Sequence, residues 1–203
     1  MSVFMSRLPQ LQEHRSAPRR GMGCAPRWYA PSRLRSQGIT PPRALQPWLL
    51  DQGSLTAKLV ARSQGDFRVQ VLHQVVARPL LSEQRLLGMT AGRQALVREV
   101  VLFGRGQPWV FARSLVPLTS LTGRLRQLRW LRERPLGTFL FAQPGLRRGA
   151  LQFSCIHPEQ PYLPAELVTD EPLWGRRSVF SLEGKPLLVS EVFLPQFTHS
   201  LSL

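Results

Sequence analysis

Apolar residues recur at every second position from Phe67 to Ala77, where FRVQVLHQVVA sets Phe67, Val69, Val71, His73 and Val75 on one side. That two-residue period predicts a strand. The same alternation fills ALVREVVLF (Ala95–Phe103) and WVFARSLVP (Trp109–Pro117), and the intervening GRGQP carries the glycine and proline of a chain reversal, so the pair reads as a hairpin. A second hairpin spans LWGRRSVFSLEGKPLLVSEVFLP (Leu173–Pro195) around the turn-prone Glu183–Gly184–Lys185–Pro186. Helical spacing is scarcer. Ser54 is placed as an N-cap before Leu55 and Leu59, with Gly65 as the stop, and Leu121, Leu125, Leu128 and Leu131 fall on one helical face that Pro135 terminates. PLGTFLF reads as a compact turn or short helix, and residues 150–172 as a proline-rich connection with one strand. Successive hairpins with helices before and between them predict an antiparallel α+β fold.

Two charges interrupt the apolar rows. Leu96, Arg98, Val100 and Leu102 share one face, and Leu187, Val189, Glu191 and Phe193 share another. The alternate row of the last strand, Leu188, Ser190, Val192 and Leu194, is also nearly apolar, so a register shift does not bring Glu191 to water. If Phe103 pairs with Trp109, Glu99 lies opposite Arg113 and the two satisfy each other, whereas Arg98 faces Ser114 and meets no countercharge. Arg98 and Glu191 are then either a structural salt bridge or the two ends of a polar ligand site. In the second case the guanidinium grips a carboxylate through two charge-assisted bonds, the glutamate handles a proton, and the guest is a small acid.

Composition narrows the field. With 203 residues, 43% of them hydrophobic, the chain can bury one substantial core. No apolar run approaches the ~18 residues of a membrane span, the N-terminus lacks the continuous apolar segment of a secretory signal, and Cys24 with Cys155 gives no disulfide framework, as fits a reducing cytoplasm. The formal charge of +15 raises nucleic acid as a partner. Against it, nearly all the positive charge is arginine, and about half the excess lies before residue 45 in a basic, proline-rich leader. That leader reads as a disordered extension or an upstream start with Met22 as the true one, in preference to a transit-like sequence, since it shows no clear amphipathic helix. Arg124, Arg129 and Arg132 read as a solvated helix face, and His73 as a core or edge histidine. GRG lacks the further glycines and the helix start of a phosphate loop. The scattered histidines and the tightly spaced Cys155-Ile156-His157 offer neither a metal cluster nor a Ser–His–Asp set.

WLLDQGSLT, LVREVVLFGRGQPWVFARSLVP, RPLGTFLF and LWGRRSVFSLEGKPLLVSEVFLP, in this order and at these intervals over roughly residues 45–197, resemble the chorismate pyruvate-lyase family of ubiquinone biosynthesis. The resemblance implies a single antiparallel β-sheet whose surrounding helices enclose a buried ligand cavity. It also implies a carbon–oxygen lyase that splits chorismate into 4-hydroxybenzoate and pyruvate without metal or organic cofactor, with strong product inhibition. Residue by residue, Arg98 matches the family's carboxylate-gripping arginine and Glu191 its site glutamate. Leu55 and Leu136 match positions that contact ligand through backbone groups, and Arg113 matches an arginine near the site. Leu55 stands where the family has methionine, and Ala112 where a glycine precedes that last arginine. The expected organisation is an extension over residues 1–44 and a lyase domain over 45–203, acting as a cytoplasmic monomer on chorismate, with nucleic acid not expected as a partner. A non-catalytic effector-binding domain of the same fold is the main alternative, although residues 1–44 offer no helix-turn-helix.

Overall fold

The computed structural model describes residues 24–36 and 38–201. Met22 and the start of the basic leader lie outside the described residues. Helices α1 (Pro31–Ser36), α2 (Gln46–Leu49) and α3 (Leu55–Ser63) precede strand β1 (Phe67–Ala77); α4 (Leu81–Leu86) leads to the hairpin β2 (Ala95–Gly104) and β3 (Gln107–Pro117). A 3₁₀ segment (Gly123–Trp130) and α5 (Leu136–Phe141) follow, then β4 (Arg147–Arg148), β5 (Gln152–Ile156), the hairpin β6 (Leu173–Leu182) and β7 (Lys185–Phe193), and α6 (Pro195–His199). The strands form one sheet in the order β1-β2-β3-β7-β6-β4, with β5 also on β6. Every pairing is antiparallel. The α+β fold expected from the hairpins is the one observed.

Side-chain alternation explains where the core lies. Val100, Leu102, Val110 and Phe193 pack with Leu55 and Leu59 of α3 on one face, beside a second group around Leu96, Val116, Leu125, Leu140 and Phe180. The other face carries Val101, Phe111, Tyr162 and Val192, with Val97, Leu115 and Leu188 alongside. Because both faces are covered, the central strands lack a polar row.

Local chemistry fixed several details. Ser54 caps α3 by accepting the Ala57 N–H at 3.3 Å, and the chain leaves that helix through Gln64 at φ 55° and Gly65 at φ 93°. Leu125, Leu128 and Leu131 are buried at a spacing of three, which suits the three residues per turn of the observed 3₁₀ segment. The first hairpin is tighter than its sequence suggests. Leu102 pairs with Val110 and Phe103 with Pro108, so Trp109 is the extra residue of a bulge and the turn shrinks to Arg105–Gly106.

The boundary drawn at residue 45 from composition falls later than the packed body. Tyr29 exchanges two 2.8 Å backbone hydrogen bonds with Phe153, and Leu34 of α1 is buried with Leu45 and Leu49. A single leucine with distant partners leaves no periodic signal.

Candidate functional site

A narrow cavity of about 40 Å³ lies between the sheet and the first turns of two helices. Val100, Ala112, Ser114, Val189 and Glu191 form its floor, Leu55 and Thr56 of α3 one wall, and Leu136, Gly137 and Leu140 of α5 another; Arg148 and Phe180 close the side. Typical small-ligand pockets hold ~300 Å³ or more, so a guest must push these helix starts apart to enter. Leu55 and Leu136 are the first residues of their helices. Their backbone N–H groups therefore have no acceptor within the helix, and both helices turn a partial positive charge toward the cavity. Gly137 makes this arrangement possible: a Cβ there would run into the side chain of Thr56.

Glu191 is 15% exposed at its side chain and accepts a 2.6 Å bond from Nε of Arg176, which is fully buried. Nη1 of Arg176 donates to the carbonyls of Trp48 at 2.7 Å and Asp51 at 2.8 Å, tying the carboxylate to the loop ahead of α3. Arg98 lies on the same sheet face. Its register partner Ser114 and its row neighbour Val100 border the cavity, while Arg98 itself does not. Two strand steps and two residues along put the Cα atoms of Arg98 and Glu191 roughly 12 Å apart.

Arg98 is 5% exposed. Nη2 donates to the carbonyls of Arg132 at 2.7 Å and Arg134 at 3.3 Å, which lead into α5. Nε has no partner, and among the described residues no carboxylate pairs with this guanidinium. Burial alone lowers its pKa to about 10. The Arg98–Glu191 salt bridge that the pattern left open does not form, because Glu191 is taken by Arg176.

The structure thus brings Leu55, Leu136 and Glu191 to one cavity, with Arg98 outside its lining on the same sheet face. It does not bring Arg113. That side chain points from the opposite face of the sheet, where Nε and Nη2 bond to Glu83 at 2.8 and 3.1 Å and Nη1 to Glu99 at 2.6 Å. The expected cross-strand partner Glu99 is present, and Glu83 of α4 is a second. Burial pulls the Arg113 pKa down, yet hydrogen bonding and charge from Glu83 more than offset this and raise it. Arg113 is accordingly withdrawn from the ligand site: adjacent strand residues face opposite ways, and Ala112 takes the cavity side.

Two arginines on the cavity face were missed. Arg176 follows from the second hairpin once its turn is shortened to Glu183–Gly184, both at positive φ, because Leu182 then pairs with Lys185 and Arg176 with Glu191. Arg148 lies in a two-residue strand after Gly145, too short for any period to mark. Among the described residues no cluster of His, Cys, Asp and Glu suits a metal ion, and no helix is long and apolar enough to cross a membrane.

Comparison with known proteins matches residues 28–201 to the chorismate lyase family. A protein of Methylococcus capsulatus named probable chorismate pyruvate-lyase is 42% identical over 153 residues, covering 74% of this chain and 94% of that one. One of the same name from Thiobacillus denitrificans is 44% identical over 158 residues, covering 76% and 84%. Among solved structures, the PhnF C-terminal domain superposes with a TM-score of 0.52 at 18% identity, over 72% of this chain and 87% of that one. The effector domain of PhnF from Mycobacterium smegmatis gives 0.50 at 16%, over 72% and 91%. At such identities the structural likeness concerns the fold alone.

Proposed function

The chain belongs to the chorismate lyase family, carbon–oxygen lyases by name, and we propose that it removes pyruvate from chorismate to leave 4-hydroxybenzoate for ubiquinone synthesis. The observation that carries this reading is the cavity itself: a carboxylate on its floor, an arginine without a carboxylate next to its lining strand residues, and two helix N-termini converging on it.

Arg98 and the N–H groups of Leu55 and Leu136 hold the ring carboxylate, which sets the ring hydroxyl toward Glu191. Chorismate carries that hydroxyl on the carbon next to the ether carbon. The hydroxyl-bearing carbon loses its hydrogen as a proton and the ether C–O bond breaks. The bonding pair leaves with the enolpyruvyl oxygen, which takes up a proton and ketonises to pyruvate. Aromatisation of the ring drives the step, and the protein's part is to position and polarise. Glu191, ion-paired to Arg176, serves as the acceptor that orients the hydroxyl beside the carbon losing its proton. No metal or organic cofactor enters this scheme. Because the product keeps the carboxylate and hydroxyl that anchor the substrate, it leaves slowly from an enclosed site and inhibits. We assign the reaction to residues 45–203 of a cytoplasmic monomer, with residues 1–44 as an extension whose later part packs on that body.

Ultraviolet absorbance of purified protein with chorismate tests the reading. Formation of 4-hydroxybenzoate above the spontaneous background is expected, with Arg98→Ala and Glu191→Gln both impaired. Tight binding of 4-hydroxybenzoate without any turnover would replace it with the reading suggested by the fold, a small-acid effector domain.

A further inference from the structure

The proposed substrate carries two carboxylates, and Arg98 accounts for one. The enolpyruvyl carboxylate needs a second cation on the cavity side of the sheet. Arg113 is excluded by its direction, and Arg176 does not border the cavity: its Nε and Nη1 are bound to Glu191 and the carbonyls of the 48–51 loop, which leaves only a buried Nη2. Arg148 remains. It borders the cavity, its Nε donates to Ser178 Oγ at 2.9 Å, and Nη1 donates to the carbonyls of Gln52 and Gly53 at 2.9 and 3.1 Å. These neutral acceptors aim the fork without neutralising it. Nη2 has no acceptor among the described residues. The ring of Phe180 lies beneath the guanidinium, 5.0 Å to its centroid, and fixes its plane. Burial, and after it the charge of Arg176, lowers the Arg148 pKa, offset only in part by the charges of Glu191 and Asp51, so an incoming carboxylate relieves a cost already present.

Building on the chorismate reading, we propose that Arg148 is the second anion anchor of the site and binds the enolpyruvyl carboxylate, the group that distinguishes substrate from product. Arg98 on β2 and Arg148 on β4 are four strand steps apart in the sheet order, with Glu191 on β7 between them. That is about 19 Å at the backbone, a gap that both side chains must narrow for one small dicarboxylate to touch them together. Arg98 then serves substrate and product alike, while Arg148 serves the substrate alone. Once the C–O bond breaks, the anion on Arg148 belongs to pyruvate and is free to leave separately from the ring.

The test compares Kd values in the full chain, for chorismate read by stopped-flow mixing before turnover and for 4-hydroxybenzoate at equilibrium, in wild type, Arg148→Ala and Arg148→Gln. Both variants should weaken chorismate by about 10- to 100-fold, the worth of a charge-assisted bond, and leave 4-hydroxybenzoate within about twofold. Arg148→Lys, which keeps the charge without the fork, should fall between. An equal loss for both ligands would reduce Arg148 to a clasp for the 51–53 loop, and an unchanged chorismate Kd would remove it from the site. If the variants fail to fold, wild type decides alone: chorismate methyl-esterified on the side-chain carboxylate should bind at least about tenfold more weakly than chorismate, and equal binding overturns the assignment. A protein that shows the Kd split yet never turns chorismate over would sink the lyase reading and leave the anchor standing.

Discussion

The two faces of the central sheet hold buried arginines in opposite ways. On the face away from the cavity, Arg113 is clasped by Glu83 and Glu99, whose side chains are 0% and 5% exposed. Arg177 bonds to Gln152 at 2.8 Å; burial lowers its pKa to about 10, and the nearby charges of Tyr162 and Glu83 offset this only in part. The cavity face sets Arg98, Arg148 and Arg176 against Glu191, with the charge of Asp51 also reaching Arg148. The nearby Asp51 is already drawn to Lys58 at 3.7 Å. Two positive charges remain over. An uncompensated buried ion costs several kcal/mol, and a fold keeps it where a ligand of opposite charge relieves the cost. The first face is therefore architecture around Arg113, and the excess positive charge of the second is what the proposed dianion would meet.

The largest expected effect falls on the first face. Arg113→Ala strands Glu83 and Glu99 as like charges and should lower unfolding free energy by about 3–5 kcal/mol, read from the urea midpoint, while any folded fraction binds 4-hydroxybenzoate with about unchanged affinity. A milder loss would show that the two faces do not differ as described. Next comes Arg98→Ala. Turnover should drop by about 10²-fold, the scale of losing one preorganised charge-stabilising group. Stability should move by less than about 1 kcal/mol, since the two lost bonds to carbonyls are offset by removing a desolvated charge. A destabilisation as large as that of Arg113→Ala would make Arg98 a structural residue.

How much of this was written in the sequence depends on the range of the interactions involved. Arg98 and Glu191 stood out because strict alternation makes any charge in an apolar row visible, and the register Glu99–Arg113 and Arg98–Ser114 followed from counting back from the turn. The same counting failed at Trp109, where a bulge absorbs one residue, and at Arg176, where a four-residue turn was assumed and two residues suffice. Arg113 was misassigned for a different reason. The family resemblance carried its position along the chain, but the side of the sheet it faces is set by parity, and parity already pointed to Glu99. Arg148, Leu34 and the helix α4 that delivers Glu83 lie in segments too short for a period to form; their placement is decided by distant partners.

Smaller changes probe how the helix starts shape the cavity face. Ser54→Ala removes the cap of α3 at the point where Leu55 meets the cavity. It should cost about 1 kcal/mol in thermal or urea unfolding and, with the Leu55 N–H proposed to serve the carboxylate they share, weaken both ligands together. Weakening of chorismate alone would shift Leu55 toward the Arg148 end of the site.

The finest adjustment is Ala112→Gly. Ala112 lies opposite Glu191 across the β3–β7 ladder, and its methyl group forms part of the cavity floor. Glycine in a central strand should cost about 0.5–1 kcal/mol of stability. On the site, losing one buried methyl from contact with the ring is worth about 0.8 kcal/mol, so 4-hydroxybenzoate should bind roughly fourfold more weakly and its inhibition ease by the same factor. Both ligands share the ring, so chorismate should weaken in parallel, unlike the split expected at Arg148. If the glycine variant instead holds the product more tightly, the methyl crowds the ring rather than packing against it. Ala112 would then be a device of this chain for expelling product, and ease of release would be set by the cavity floor and not by the arginines at its ends.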